Sequence, residues 1–327
     1  MTAGAAPLVR VVRDGLEEAV HLGHVAVCDV DGRLLAWAGD PQQMVFVRSC
    51  TKPVQAAVSL GAIGAAERLS DRQVAVMCAS HNGEPLHVRT VRSLLRRAGL
   101  TPEALRTPPD RPIDPTSAAR VREAAPLFHN CSGKHAGMLL ACVRAGWPTS
   151  TYRRRSHPLQ RRVLDTVGSL SGREPAVGVD GCGVPVHGLP LAAVATMYAR
   201  LVDPASQGDL VPAFVRAVGA MRAEPYLVGG RDRVDTAVMQ AAPRIVMKEG
   251  AEALDCAVMI ERGIGVAVKI ADGGYRAAGP TMIHVLERFG AIDAAARRVL
   301  TSFADPPVLG GGRPVGRLDV VAELRSA

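Results

Sequence analysis

Arg48-Ser49-Cys50-Thr51-Lys52-Pro53 opens a helix that runs to about Ala66, with Ser49 or Cys50 near its start and Pro53 in its first turn. Apolar Val54, Ala57, Val58 and Ile63 follow and give that helix a buried face. Positions i and i+3 of a helix share one side, so the Ser49 hydroxyl and the Lys52 amine are able to meet. The free N–H groups and the dipole at a helix start lower the pKa of a nearby amine and can hold an oxyanion. A neutral Lys52 would then take the Ser49 proton and leave an activated nucleophile. Taken alone, Ser-x-x-Lys fits equally well a capping serine followed by a solvated lysine. Cys50 is a rival nucleophile, but it points away from the Lys52 face.

Outward from this helix, the chain reads as strands near both ends with helices between. His24 to Trp37 alternates apolar and polar residues around Asp31-Gly32, the signal of a type I′ hairpin. Val74 to Ala79 is a short buried apolar run. Pro85 to Ala98 is helical and closed by Gly99 and Pro102, whereas Arg106 to Pro115 holds four prolines and is irregular. Helices are expected at Ser132 to Ala145, Pro158 to Leu170, Leu189 to Leu201, Leu210 to Met221 and Met282 to Phe303. Ala257 to Ile260 and Gly265 to Ile270 flank a second hairpin at Glu261-Arg262-Gly263, and Gly310 to Gly312 with the tail beyond reads as a mobile surface loop. The expected fold is α/β of the α+β kind: an antiparallel sheet built from N- and C-terminal strands, surrounded by helices.

Composition narrows the function. Apolar residues at 48% and charged residues at 21% describe an ordinary globular chain of 327 residues, long enough for one large domain or two closely joined ones. Met1 to Ala6 is too short and too soon followed by charges to be an export leader, so a cytoplasmic location is expected. The seven cysteines are then thiols or metal ligands. Gly183 to Ala199 is the longest apolar stretch, but it contains His187 and two prolines and is no membrane span. The net charge of +8 invites a nucleic-acid reading; eleven aromatic residues and scattered arginines argue against it. Of 39 basic residues only Lys52, Lys134, Lys248 and Lys269 are lysine. Arginine cannot deprotonate in a protein and lysine can, so the lysines that remain are the first places to look for chemistry.

Three motifs add to Ser49-x-x-Lys52. Ser80-His81-Asn82-Gly83-Glu84 follows the apolar run, and Lys269-Ile270-Ala271-Asp272-Gly273 ends a C-terminal strand. Singly they read as a polar turn and an edge-strand lysine. Their order, Ser-x-x-Lys, Ser-x-Asn, then a strand lysine before a glycine turn, is that of serine β-lactamases and penicillin-binding proteins. The departures, Ser80-His81-Asn82 and Lys269-Ile270-Ala271-Asp272-Gly273, speak against a β-lactam enzyme but preserve the mechanics. The third motif is His129-Asn130-Cys131-Ser132-Gly133-Lys134-His135, with Asp180-Gly181-Cys182-Gly183 some fifty residues on. Two thiolates, one nitrogen ligand and a water would satisfy tetrahedral zinc.

At these residues the chain, from about Pro7 to about Leu300, resembles the Rhizobium-type, thermolabile L-asparaginases, the L-asparaginase II family. The resemblance rests on Arg48 to Pro53, Ser80 to Glu84, Cys131-Ser132-Gly133-Lys134-His135-Ala136-Gly137-Met138, Asp180-Gly181-Cys182-Gly183-Val184-Pro185 and Lys269 to Gly273. It implies one catalytic domain over 1–327 with a serine β-lactamase- and glutaminase-like fold, a homodimer, and L-asparagine as the small-molecule substrate, hydrolysed to L-aspartate and ammonia. It implies two catalytic pairs, Ser49–Lys52 and Ser80–Lys269, and zinc held by Cys131, Lys134 and Cys182. It further implies substrate contacts from Arg48, Asn82, Glu84, His135 and Asp180. Arg48 is the expected partner of the substrate carboxylate. The stretch from about Asp203 to Arg233 does not match the pattern. Another serine–lysine amidohydrolase, a glutaminase or a β-lactamase-like protein, is the alternative, and a binding protein that keeps the fold is a further one.

Overall fold

The computed structural model describes residues 4–326; Met1 to Ala3, part of the stretch read as no leader, lie outside the described residues. Among the described residues twelve strands are formed: β1 (Ala6–Arg13), β2 (Leu16–Cys28), β3 (Leu34–Ala38), β4 (Met44–Phe46), β5 (Ala176–Val179), β6 (Pro185–Pro190), β7 (Ile245–Gly250), β8 (Leu254–Met259), β9 (Ile264–Ile270), β10 (Pro307–Gly310), β11 (Arg313–Val320) and β12 (Arg325–Ser326). The main sheet runs β10-β11-β1-β2-β9-β8-β7, all antiparallel, with β3 on β2 and β12 on β3. The chain thus closes the sheet with strands from both ends, as expected from the sequence. A small sheet, β4-β6-β5, stands apart from it.

The helices form because apolar residues recur at helical spacing and the ends are capped. The Asp71–Met77 helix shows both devices: Ser70 and Gln73 form a reciprocal capping box, and Val74, Ala75, Val76 and Met77 are buried. Lys52–Ile63, Ser132–Arg144 and Asp71–Met77 pack together into a helical layer. Gly133 is required there, since a Cβ at that position would stand 2.1 Å from the Val76 carbonyl oxygen. This close approach brings the start of the Ser132–Arg144 helix up to the Ser80 turn. The Leu191–Ala199 and Tyr275–Arg288 helices pack on the sheet. Among the described residues no helix is long and apolar enough to cross a membrane.

Three expectations are corrected. The Asp31-Gly32 hairpin is not a two-residue turn: Asp29 to Arg33 form the connection, with Asp29 Oδ1 accepting from the Asp31 and Arg33 N–H groups. The single helix expected from Met282 to Phe303 is instead Tyr275–Arg288, ended by Gly290 at φ +68°, followed by the short Ala294–Val299 helix. Gly310 to Gly312 is the turn between paired strands β10 and β11, not a free tail, because Arg313–Val320 finds a second partner in β1.

Candidate active site

Ser49 lies in a 3-10 turn, Arg48–Thr51, that leads directly into the Lys52–Ile63 helix, and the Lys52 N–H donates to the Ser49 carbonyl. In 3-10 geometry side chains i and i+3 eclipse, so Ser49 and Lys52 share a face. Arg48 has φ +49°, a left-handed conformation that costs a non-glycine residue about 1 to 2 kcal/mol and persists only where its surroundings hold it. The surroundings do so at several points. The Val47 N–H donates to the His187 carbonyl at 2.8 Å, and Tyr198 Oη donates to the Cys50 carbonyl at 2.8 Å. Cys50 Sγ donates to the carbonyls of Lys248 and Leu254 at 3.1 and 3.2 Å. Cys50 therefore has a seating role away from the Lys52 face.

Lys52 is fully buried, and its Nζ donates to Ser80 Oγ at 2.8 Å. Burial pushes its pKa down to about 8; the charge on Cys131 opposes this, while the Lys134 and Lys248 cations reinforce it. Ser80 is placed by a short ladder: the Ser80 and Asn82 N–H groups donate to the Val228 and Gly229 carbonyls at 2.9 Å. The expected Ser80–Lys269 pair is not formed. The Lys269 ammonium is instead bound by the main-chain carbonyls of Glu252 and Ile270, at the far end of β9.

Besides Lys134, the lysine whose charge acts on Lys52 is Lys248. It has no exposed surface, and its Nζ donates to the equally buried Asp235 carboxylate at 2.5 Å. It stands on edge strand β7, against which the Ser49 turn packs. Its sequence signal was available: one of four lysines, in Lys248-Glu249-Gly250. Arg233 carried no signal at all. Its guanidinium joins Glu249 at 3.0 Å, the Ser80 carbonyl at 3.0 Å and Asn82 Oδ1 at 3.2 Å, fastening the second serine to β7.

The remaining expected residues gather around this centre, several of them already partnered. Arg48 Nε donates to Asp180 Oδ1 at 2.7 Å, which engages one of its five N–H donors. Burial would raise the Asp180 pKa, but Lys134 and Arg48 override it and hold the carboxyl at about 2. Asn82 Nδ2 donates to the Arg231 carbonyl at 2.8 Å, and Glu84 accepts from the Arg231 N–H at 3.0 Å and from the Tyr226 hydroxyl. These two side chains thus build the site wall from the stretch, Asp203 to Arg233, that the sequence left unmatched. His135 is buried and lies 2.6 Å from the Tyr152 hydroxyl through Nδ1; burial lowers its pKa to about 4.

Cys131, Lys134 and Cys182 are all buried. Cys182 Sγ donates to Asp180 Oδ2 at 3.4 Å, and the two neighbouring thiols perturb each other: Cys182 holds the Cys131 thiol well below its usual range, and Cys131 raises that of Cys182. Burial works against the Lys134 charge, but Cys182, Cys131 and Asp180 outweigh it and raise its pKa. His135 Nε2 is buried with no group at hydrogen-bond distance among the described residues, although the neighbouring Cys182 raises the ring's pKa against burial. Among the described residues no three His, Cys, Asp or Glu side chains are grouped so that they could hold a metal ion. Soft thiolates with one nitrogen are a donor set that suits zinc.

The L-asparaginase II family matches residues 9–320. A comparison with curated proteins gave no match. Among solved structures, Mglu aligns at 13% identity over 83% of this chain and 67% of its own, with a TM-score of 0.46; the chain spans about two thirds of Mglu's length. A β-lactamase from Mycobacterium bovis aligns at 16% identity, over 82% of this chain and 94% of its own, with a TM-score of 0.44. A Bacillus subtilis glutaminase, in covalent complex with 5-oxo-L-norleucine, aligns at 11% identity, over 83% and 88%, with a TM-score of 0.46.

Proposed function

The chain belongs to the L-asparaginase II family, and on that premise we propose that it hydrolyses L-asparagine to L-aspartate and ammonia through a Ser49 acyl-enzyme. One observation carries the reading: a fully buried lysine with a pKa near 8 lies one turn from Ser49 and 2.8 Å from Ser80. Neutral Lys52 accepts the Ser49 proton as Oγ attacks the side-chain amide carbon. Backbone N–H groups at the helix start receive the oxyanion. Ser80 passes the proton from Lys52 to the departing ammonia, and water then cleaves the ester by the reverse route. Lys248, in place of Lys269, is the opposing lysine; its charge helps keep Lys52 deprotonated.

The Arg48–Asp180 pair offers one cation and one anion side by side, which matches the α-carboxylate and α-ammonium of an amino-acid substrate. Zinc would be held by Cys131, Cys182 and, once its ammonium had given up a proton, Lys134, and when bound it would order the wall beside the substrate rather than generate the nucleophile. Ammonia release from L-asparagine by the purified protein, beside L-glutamine and nitrocefin, tests the proposal. Turnover of asparagine that is lost in Ser49→Ala supports it. Preferential turnover of glutamine or nitrocefin would reassign the substrate, and undiminished activity in Ser49→Ala would remove the nucleophile.

A further inference from the structure

Two adjacent residues at the tip of the β7–β8 hairpin, Glu252 and Ala253, are left-handed, at φ +61° and +52°. Neither is Gly, Asn or Asp, the types that occupy this region with least strain. They belong to the short connection between Gly250 and its cross-strand partner Leu254. On the neighbouring strand, Lys269 is the register partner of Leu254. Its ammonium donates to the Glu252 carbonyl, inside the strained turn, and to the Ile270 carbonyl. The Ile270 N–H donates in turn to the Ala253 carbonyl at 3.1 Å. Lys269 is only 5% exposed, so a buried charge is committed to main-chain oxygens.

The ends of that turn touch the nucleophile segment. A Cβ at Gly250 would stand 2.9 Å from Cys50 Sγ, and Cys50 Sγ itself donates to the Leu254 carbonyl at 3.2 Å. Cys50 directly follows Ser49. We propose that Lys269 is a positioning residue: its ammonium fastens the Glu252–Ala253 turn and so fixes the hairpin end on which the Ser49 segment is seated. It takes no part in proton transfer. The catalytic half of this inference rests on the reading of Ser49 as nucleophile. The requirement for lysine in an arginine-rich chain follows from shape, because a compact ammonium aims its donors at two converging carbonyls and a planar guanidinium does not.

The test is a double-mutant cycle of Lys269→Met and Ala253→Gly, read by thermal unfolding and by steady-state ammonia release. Lys269→Met should lower Tm by about 4 °C and kcat about tenfold, with KM within about twofold and the alkaline rise of the rate unchanged. Ala253→Gly should leave activity unchanged, since glycine adopts the turn without strain. In combination it should restore most of the Tm and kcat lost in Lys269→Met. Lys269→Met and the double mutant equally inactive while folded would make Lys269 a proton-transfer group and overturn the inference. Strictly additive Tm changes would overturn it as well. The Tm cycle does not depend on turnover, so coupled Tm values with no ammonia released from any substrate would sink the proposed function and leave the turn clamp standing. Should Lys269→Met fail to fold, comparing Lys269→Gln with and without Ala253→Gly decides by the same criteria.

Discussion

Replacing Lys52 by arginine keeps the positive charge and nearly the length of the side chain, but removes the ability to give up a proton. An ordinary lysine with a pKa of 10.5 is neutral in about one molecule in 3000 at pH 7. Burial lowers the Lys52 value to about 8, so that about one in ten is neutral at pH 7, a gain of about 300-fold in working base. The sign follows directly. The free amine is the active form, so the wild-type rate should climb through pH 8 and gain about tenfold between pH 7 and pH 9. Arginine does not deprotonate in this range, and Lys52→Arg should lose at least about a hundredfold in kcat, with the residual rate flat over the same interval. Lys52 donates to Ser80 from a site with no exposed surface, so the variant's fold must be checked by circular dichroism and thermal unfolding. Ammonia release by both proteins at closely spaced pH values is the assay. A folded Lys52→Arg enzyme within about tenfold of wild type, or a wild-type profile flat above neutrality, would show that Lys52 supplies only charge.

Other outcomes follow from the same geometry. Ser49→Ala and Ser80→Ala should each lower kcat by at least about a hundredfold, and the double mutant should be little worse than the poorer single; multiplication of the two losses would show that the serines act independently. Lys248→Met should destabilise by about 3 to 5 kcal/mol, because it removes the buried ammonium that is paired directly with the Asp235 carboxylate. Lys248→Met with Asp235→Leu should recover most of that loss in urea unfolding, and no recovery would mean that the pair is not the source of the cost. The purified protein should carry about one zinc per chain, and Cys131→Ser or Cys182→Ser should release it. Zinc fully retained in Cys182→Ser would remove that residue from the ligand set.

Much of this architecture is local and therefore legible in a single chain. Ser49-x-x-Lys52 and Pro53 mark the helix that carries the candidate nucleophile, because capping, proline placement and i,i+3 spacing are properties of neighbouring residues. The same is true of Ser80 to Glu84, of Cys131 to His135, and of the hairpin that closes the C-terminal part of the sheet. The scarcity of lysine drew attention to four positions but did not rank them. Lys248 and Lys269 stand on strands two places apart in the same sheet, and both are buried. Only strand order sets β7 at the edge, beside Ser49, and sends the Lys269 ammonium to the Glu252 turn. Arg233 and Asp235 show the same limit: neither belongs to a motif, yet they fasten Ser80 and balance Lys248 across more than a hundred and fifty residues and thirteen residues of chain, respectively. Spacing determines which side chains share a face. Which faces meet is decided by burial of the whole chain, because the partner of a buried charge is whatever group the packing brings within reach of it.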